Sequence, residues 1–257
     1  MRYYVVADVH GFYDEMITAL TEQNYFNDTE PHKLVICGDL FDRGTQALKL
    51  QEFVLDLLGK DEVVLIRGNH EDLACELINE WHLHSFKRGY HKSNGTINTV
   101  CQLIGMTEGE LFENSDEAGR RLMNSPYIKT IIPAMHDYYE TDHYIFVHGW
   151  IPTTLINISH YKTECVYIEE WRRAGKKAWE DARWLNGMEM AHGGVIEKNK
   201  TIICGHWHCS YGHANYENKG GEFDDDSDFT PYYSDGIIAI DACTAVSGKV
   251  NCIVIDD

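Results

Sequence analysis

Short apolar runs rich in β-branched residues punctuate the first 70 positions, and each stops at a polar cluster. Positions 3–7, 34–37 and 63–66 are too short for helices and read as buried strands. Between them, positions 12–23 place Met16, Ile17 and Leu20 at helical spacing. Positions 48–58 do the same with Leu48, Leu50, Phe53, Val54, Leu57 and Leu58, and Gly59 is expected to close that helix. Strand–helix–strand–helix–strand order predicts parallel strands joined by right-handed crossovers. Functional residues then collect on loops at the carboxyl ends of the strands.

Beyond the third strand the pattern changes. Positions 73–81 and 111–123 read as helices, and the polar stretch 87–98 holds Gly89 and Gly95. Positions 72–143 are therefore expected to form a mostly helical insertion beside the sheet, within a single domain of residues 1–257. Strand character returns at 144–147, helix at 168–185, and strands again at 201–204, 236–240 and 250–255. The last two predict an antiparallel pair turned at Ser247-Gly248-Lys249. A chain of 257 residues is long enough for one α/β domain with a sizeable core.

Charge removes two classes of partner. The formal net charge is -19, whereas a nucleic-acid groove or an anionic membrane surface needs clustered Lys and Arg. No apolar stretch approaches the roughly 18 residues of a membrane span. The first residues run directly into a motif and read as a strand, not as a removable signal. The eight cysteines include no Cys-x-x-Cys pair, so they are expected to be reduced thiols of a cytoplasmic protein. The acidic run at 222–228 is expected to be a solvated loop.

The polar clusters carry the chemistry. Asp8 and His10 flank one residue, so in an extended segment both side chains point the same way. One hard oxygen with one imidazole suits Mn, Fe, Zn, Co or Ni better than Ca or Mg. Asp39 lies at the matching end of the second strand, inside Gly38-Asp39-Leu40-Phe41-Asp42-Arg43-Gly44, where a carboxylate can bridge two cations. Asn69 and His70 follow the third strand, His148 ends the run at 144–147, and His206 ends the run at 201–204. Any one of these residues alone is an ordinary strand-end polar group. Five strand ends that each deliver a ligand-type residue are a different matter, and they point to a two-metal phosphoester hydrolase.

These motifs resemble those of the calcineurin-like metallophosphoesterases and, within them, the bacterial phosphoprotein-phosphatase type of Ser/Thr phosphatase. The resemblance rests on Asp8-Val9-His10-Gly11, Gly38 to Gly44, Gly68-Asn69-His70-Glu71, His148-Gly149 and Gly205-His206. It implies an α/β fold: a sandwich of two mixed sheets flanked by helices, with the site at strand carboxyl ends. It also implies one metal held by Asp8, His10 and Asp39, and another held by Asp39, Asn69, His148 and His206. The late motif runs on to His208, a histidine that the broader superfamily uses for the first metal, and His208 is assigned there. Protein phosphatases of this type usually lack it.

Two cations about 3.5–4 Å apart neutralise phosphoryl oxygens and bring a bridging water towards hydroxide at neutral pH. The cofactor expected is a pair of divalent ions, with Mn2+ as the first choice. No Cys-x5-Arg cluster is present, so a covalent phosphoenzyme is not expected. His70 cannot readily share a metal with its neighbour Asn69, so it is the candidate general acid, with Asp42 orienting its ring. The resemblance gives the pair the same roles. Arg43 is expected to grip the phosphate with its forked guanidinium, with Asn69 beside it. Arg183 is the candidate for a second phosphate contact, with Arg172 and Arg173 as competitors, and Trp150 and Trp207 are candidate walls. The expected substrate is a phosphoserine or phosphothreonine protein or a small phosphoester. The alternatives are a diadenosine-tetraphosphate hydrolase or another phosphodiesterase and, in a different class, a non-catalytic metal- or phosphoprotein-binding module.

Overall fold

The first three strands alternate strictly between two burial partners, and that alternation sets the architecture. The computed structural model describes residues 1–159 and 162–257. One sheet has the order β11-β1-β2-β3, built from β1 (Arg2–Val6), β2 (His32–Cys37), β3 (Val63–Ile66) and β11 (Cys252–Asp256). In it β1, β2 and β3 are parallel and β11 is antiparallel to β1. The second sheet has the order β4-β5-β8-β10-β9, built from β4 (Tyr139–Glu140), β5 (Tyr144–Phe146), β8 (Thr201–Cys204), β9 (Tyr232–Ser234) and β10 (Ile237–Ala239). There β5, β8 and β10 are parallel and the two edge strands are antiparallel. A separate hairpin pairs β6 (Thr153–Ser159) with β7 (Lys162–Tyr167).

Tyr3, Val5, Val35, Cys37, Val64 and Ile66 meet Phe146, Ile203 and Ile240 in the layer between the sheets. Tyr4, Val6, Leu34, Ile36, Val63 and Leu65 face outward. They pack on Met16 and Leu20 of helix α1 (Tyr13–Glu22) and on Leu50, Val54 and Leu57 of α2 (Ala47–Lys60). On the other side Ile145, Ile202, Ile237 and Ala239 cover Trp150, Trp171, Trp179 and Met188. Each parallel strand is thus buried on both faces, which is why it reads as a continuous apolar run. The sandwich of two mixed sheets agrees with the fold expected from sequence.

The segment between β3 and β4 is helical. It comprises α3 (Asn69–Asn79), α4 (Gly89–Ser93), α5 (Thr96–Ile104), α6 (Glu108–Glu113), α7 (Ser115–Met123) and α8 (Ile132–Ala134). These helices enclose their own small core of Leu77, Trp81, Phe86, Ile97, Val100 and Leu111. Further on lie α9 (Lys176–Ala182), α10 (Gly187–His192), α11 (Cys209–Tyr216) and α12 (Thr244–Ser247).

Several elements differ from expectation. Gly59 does not close α2; the helix runs on to Lys60, and Asp61 ends it at φ 58°. The expected helix at 111–123 is two helices, broken at Asn114 (φ −122°, ψ 47°). The helix expected at 168–185 shrinks to α9, because Gly175 supplies an extended cap at its start. The last two strands do not form a hairpin. β10 pairs with β8 and β9 and β11 pairs with β1, so the intervening chain crosses from one sheet to the other.

Phe146 spans the two sheets, with its ring 5.9 Å from Tyr3 and 5.8 Å from Tyr139. Phe146→Ala is expected to destabilise the fold by about 3–5 kcal/mol through the cavity it leaves. The urea midpoint of that variant measures the loss, and a midpoint equal to that of the parent contradicts this packing.

Candidate functional site

The loops after β1, β2, β3, β5, β8 and β10 meet at one end of the sandwich, and their backbones are held under strain. Asp8, His10, Asp39, Asp42, Arg43, His206 and Cys243 all take positive φ, between 49° and 76°. Each such residue other than glycine costs on the order of 1–2 kcal/mol, so the surroundings must enforce the geometry. Direct tethers do so. His10 N–H donates to Asp39 O at 2.9 Å, Gly11 N–H to Leu40 O at 2.7 Å and Gly205 N–H to His148 O at 2.8 Å. Gly205 must lack a side chain, because a methyl there would collide with Asp8 Oδ2.

Glu71 fastens the second and third loops. Its carboxylate accepts from Gly68 N at 2.7 Å, Asp39 N at 3.0 Å and Leu40 N at 3.0 Å. Asp39, thus placed, also accepts from His70 N at 3.0 Å through Oδ1. Its Oδ2 lies 3.7 Å from His10 Nε2 and 3.9 Å from His70 Nε2, and its Oδ1 lies 3.4 Å from His148 Nε2. Burial opposes charge on Asp39, but in acid the surrounding imidazoles become charged, and their attraction, that of His148 foremost, outweighs burial and holds the carboxyl below its ordinary range.

The imidazoles are oriented by backbone carbonyls. His10 Nδ1 lies 2.9 Å from Phe41 O, His148 Nδ1 lies 2.9 Å from Cys37 O, and the His206 ring donates to the carbonyl of Trp184. One nitrogen of each ring therefore carries its proton outward, and the other presents a lone pair to the cleft. Burial keeps the rings neutral, pushing His10 and His206 down to about 3 and His148 in the same direction. His148 Nε2 is 2.7 Å from Asn69 Oδ1. Lone pairs from a nitrogen, an amide oxygen and a carboxylate then converge with no proton among them, and a divalent cation satisfies that arrangement. Two groups could hold an ion, each with its donors within 4.8 Å of one another: His10, Asp39 and His70, and Asp39, His148 and His206. Asp39 belongs to both.

Not every expected residue joins these groups. Asp8 is buried, and its Oδ2 accepts from His206 N at 2.9 Å, but its carboxylate is in neither group and it does not line the cleft. His208 lines the cleft, yet its ring is engaged elsewhere: Nε2 lies 3.0 Å from Glu222 Oε1 and Nδ1 lies 3.0 Å from Ser210 Oγ. Arg183 is not offered to a phosphate. It is buried and paired with both Asp72 and Asp137, so the expected second phosphate contact is not in place. Arg172 is likewise occupied by Glu140 and Glu197. Arg43, by contrast, is exposed at the cleft and lies 3.4 Å (Nη2) from His70 Nε2. His70 Nδ1 is 2.7 Å from Asp42 Oδ2. Asp39 and Asp42 outweigh the effect of burial on His70 and raise its pKa.

Trp207 lines the cleft as expected, whereas Trp150 is core, with Nε1 donating to Val195 O. Six lining residues were not expected from the sequence: Asn94, Trp184, Glu222, Phe223, Asp241 and Cys243. Asp241 follows an apolar strand, the same signal that marked Asp39, and was hidden by the expected hairpin. Glu222 and Phe223 belong to the acidic run, and they bring part of that loop to the cleft wall. The cleft encloses about 410 Å³.

Unprotonated imidazole nitrogens gathered around one carboxylate, at the strand ends of a two-sheet sandwich, define the class of metal-dependent phosphoester hydrolases. The family model of the calcineurin-like phosphoesterases matches residues 1–226, and the chain belongs to that family. The asymmetrical bis(5'-nucleosyl)-tetraphosphatase PrpE of Bacillus velezensis is 37% identical over 76 residues, 27% of this chain and 30% of its own. The symmetrical bis(5'-nucleosyl)-tetraphosphatase of Buchnera aphidicola is 39% identical over 71 residues, 28% of this chain and 24% of its own. The match thus spans less than a third of either relative. A cold-active protein-tyrosine phosphatase from a psychrophilic Shewanella species shares the fold, with a TM-score of 0.51 and 16% identity over 100% of this chain and 75% of that one.

So many buried carboxyls make the metal-free site sensitive to pH. Burial, with Asp39 adjacent, pushes Glu71 up to about 7, and burial pushes Asp241 up to about 6. Burial, Asp241 and Asp39 together push Asp8 well above the carboxylate range. A carboxyl whose folded pKa exceeds its unfolded value favours the fold while protonated, and that contribution is lost as pH climbs through the folded pKa. The depressed imidazoles act oppositely, and their contribution is complete only about one unit above their unfolded pKa of about 6.5. Above that point the raised carboxyls, Asp8 foremost, act alone. Metal-free protein is therefore expected to melt at a lower temperature at pH 9 than at pH 7.5. Thermal melts in EDTA measure this; a metal-free Tm that holds or rises at pH 9 contradicts it.

Proposed function

We propose that the chain is a phosphoester hydrolase working with two divalent cations, Mn2+ as the first choice. The observation that carries this reading is the position of Asp39 between two donor groups, with one oxygen turned to His10 and the other to His148. His10 and Asp39 would hold one ion, with Asp8, from the same loop as His10, as a further candidate. Asp39, Asn69, His148 and His206 would hold the other. When bound, the pair supplies charge neutralisation of the phosphoryl group and activation of water.

The chain's own residues do the rest. Arg43, the one Arg or Lys among the described residues lining the cleft, grips phosphoryl oxygens with its planar guanidinium. His70 presents Nε2 to the cleft and donates its proton to the departing oxygen, while Asp42 holds Nδ1–H and supports the positive ring. The helical segment between β3 and β4 belongs to the same catalytic unit of residues 1–257, since Asn94 reaches the cleft. Among the described residues no helix is long and apolar enough to cross a membrane. The eight cysteines are free, which suits a cytoplasmic setting.

We infer that the substrate is a phosphoserine or phosphothreonine side chain in a protein. A buried acid dyad is valuable where the leaving group is an alkoxide, which must be protonated as it departs. A phosphoanhydride leaves as a stable anion and gains less. The second reading is a dinucleoside tetraphosphate, which is what the two relatives' names specify. It draws support from the exposed rings of Trp184 and Phe223 on the cleft, which can stack on bases.

Turnover of a phosphoserine peptide is expected to vanish on chelation and return with Mn2+. A panel that sets this peptide against diadenosine tetraphosphate decides between the readings, and preference for the nucleotide reverses their order. His70→Asn is expected to retain metal, measured by elemental analysis, and to lose roughly 10²–10⁴-fold in kcat on the peptide. Near-full turnover in that variant removes the assignment of the acid.

A further inference from the structure

Helix α5 turns three polar side chains toward the loop that carries Asp42 and Arg43. Thr96, Thr99 and Gln102 are spaced i, i+3 and i+6 and so share one face. Thr96 Oγ donates to Asp42 Oδ2 at 2.9 Å, and Thr99 Oγ accepts from Asp42 N at 2.9 Å. Gln102 completes the grip: its Nε2 donates to Gly44 O at 3.0 Å and its Oε1 accepts from Ala47 N at 2.8 Å. Gly95, just before the helix, lies so close to Arg43 N that a methyl would not fit. Both hydroxyls are buried, with Thr96 1% exposed and Thr99 2% exposed.

The geometry answers a question the catalytic residues leave open. Asp42 and Arg43 sit at φ 76° and 64°, conformations that two adjacent residues other than glycine do not hold unaided. A carboxylate can also rotate, exchanging its oxygens and its hydrogen-bond directions. Asp42 Oδ2 receives His70 Nδ1 and Thr96 Oγ together, so the hydroxyl determines which oxygen meets the imidazole and from what direction.

We propose that Thr96 is a positioning residue for the general acid: acting through Asp42 Oδ2, its hydroxyl fixes the orientation of His70, with Thr99 and Gln102 holding the backbone of the same loop. The helical segment between β3 and β4 is thereby the outer end of a chain Thr96–Asp42–His70. The proposal rests on the reading of His70 as the acid. Thr96 itself touches no substrate, and no atom changes owner at its hydroxyl.

The test separates leaving groups. A phosphoserine peptide needs its alkoxide protonated, whereas p-nitrophenolate departs without help. In the Mn2+-loaded full chain, Thr96→Val is expected to lower kcat on the peptide about tenfold, a fraction of the loss expected for removing the acid. On p-nitrophenyl phosphate kcat is expected to change less than about twofold, and KM for the peptide is expected to hold. Thr96→Ser, which restores the hydroxyl, is expected to recover the peptide rate, and Thr96→Ala serves if the valine variant does not fold. An equal fall on both substrates, no fall on either, or a slow serine variant overturns the proposal. His70→Asn assayed beside them isolates the underlying reading. If that variant shows no split between the substrates, the acid assignment fails and this proposal with it; if it shows the split and Thr96→Val does not, the proposal alone fails.

Discussion

One carboxylate, Asp39, lies between two sets of imidazoles, and nearly every other feature of the cleft serves to keep it there. Its backbone N–H is held by Glu71, and its Oδ1 is held by the N–H of His70 at the first turn of α3. An ionised group buried this deeply is costly unless opposite charge or donors surround it. The rings around it offer lone pairs instead of protons, because carbonyl groups have taken the protons they carry. The site is thus built with an excess of negative and lone-pair character that only cations complete.

That excess explains why strain gathers at the strand ends. Asp, Asn and His tolerate the left-handed region better than other side chains, so the residue types suited to binding cations are also those the tight turns accept. Asp8, His10, Asp39, Asp42 and His206 use that tolerance. The tethers between loops supply what the individual turns lack, and helix α5 does so for the loop at 42–47.

How much of this was legible in the amino-acid order follows from range. The parallel strands could be read because burial on both faces leaves continuous apolar runs, and the site residues could be read because each follows such a run. Local capping misled in places: Gly59 looked like a stop, yet Asp61 supplies it. Pairing over long distances was not legible. The strands β10 and β11 are near in sequence and belong to opposite sheets, and that error hid Asp241. Arg183 had the right chemistry, but Asp72 and Asp137 lie 111 and 46 positions away and cannot be seen from its neighbourhood. His208 matched a motif, yet its partner Glu222 lies in a stretch that composition marks only as solvated. Thr96 and Thr99 carry no motif at all. Their meaning exists only against Asp42, more than 50 positions earlier.

The tethers among the loops also form a closed circuit. Glu71 joins the third loop to the second, and His10 N–H joins the second to the first. Asp8 Oδ2 joins the first to the loop after β8, Gly205 N–H joins that one to the loop after β5, and His148 Nδ1 returns to Cys37 at the end of β2. The circuit passes twice between the two sheets. Sliding one sheet past the other would therefore have to break it, so the registration of the sandwich and the assembly of the cleft are a single mechanical event.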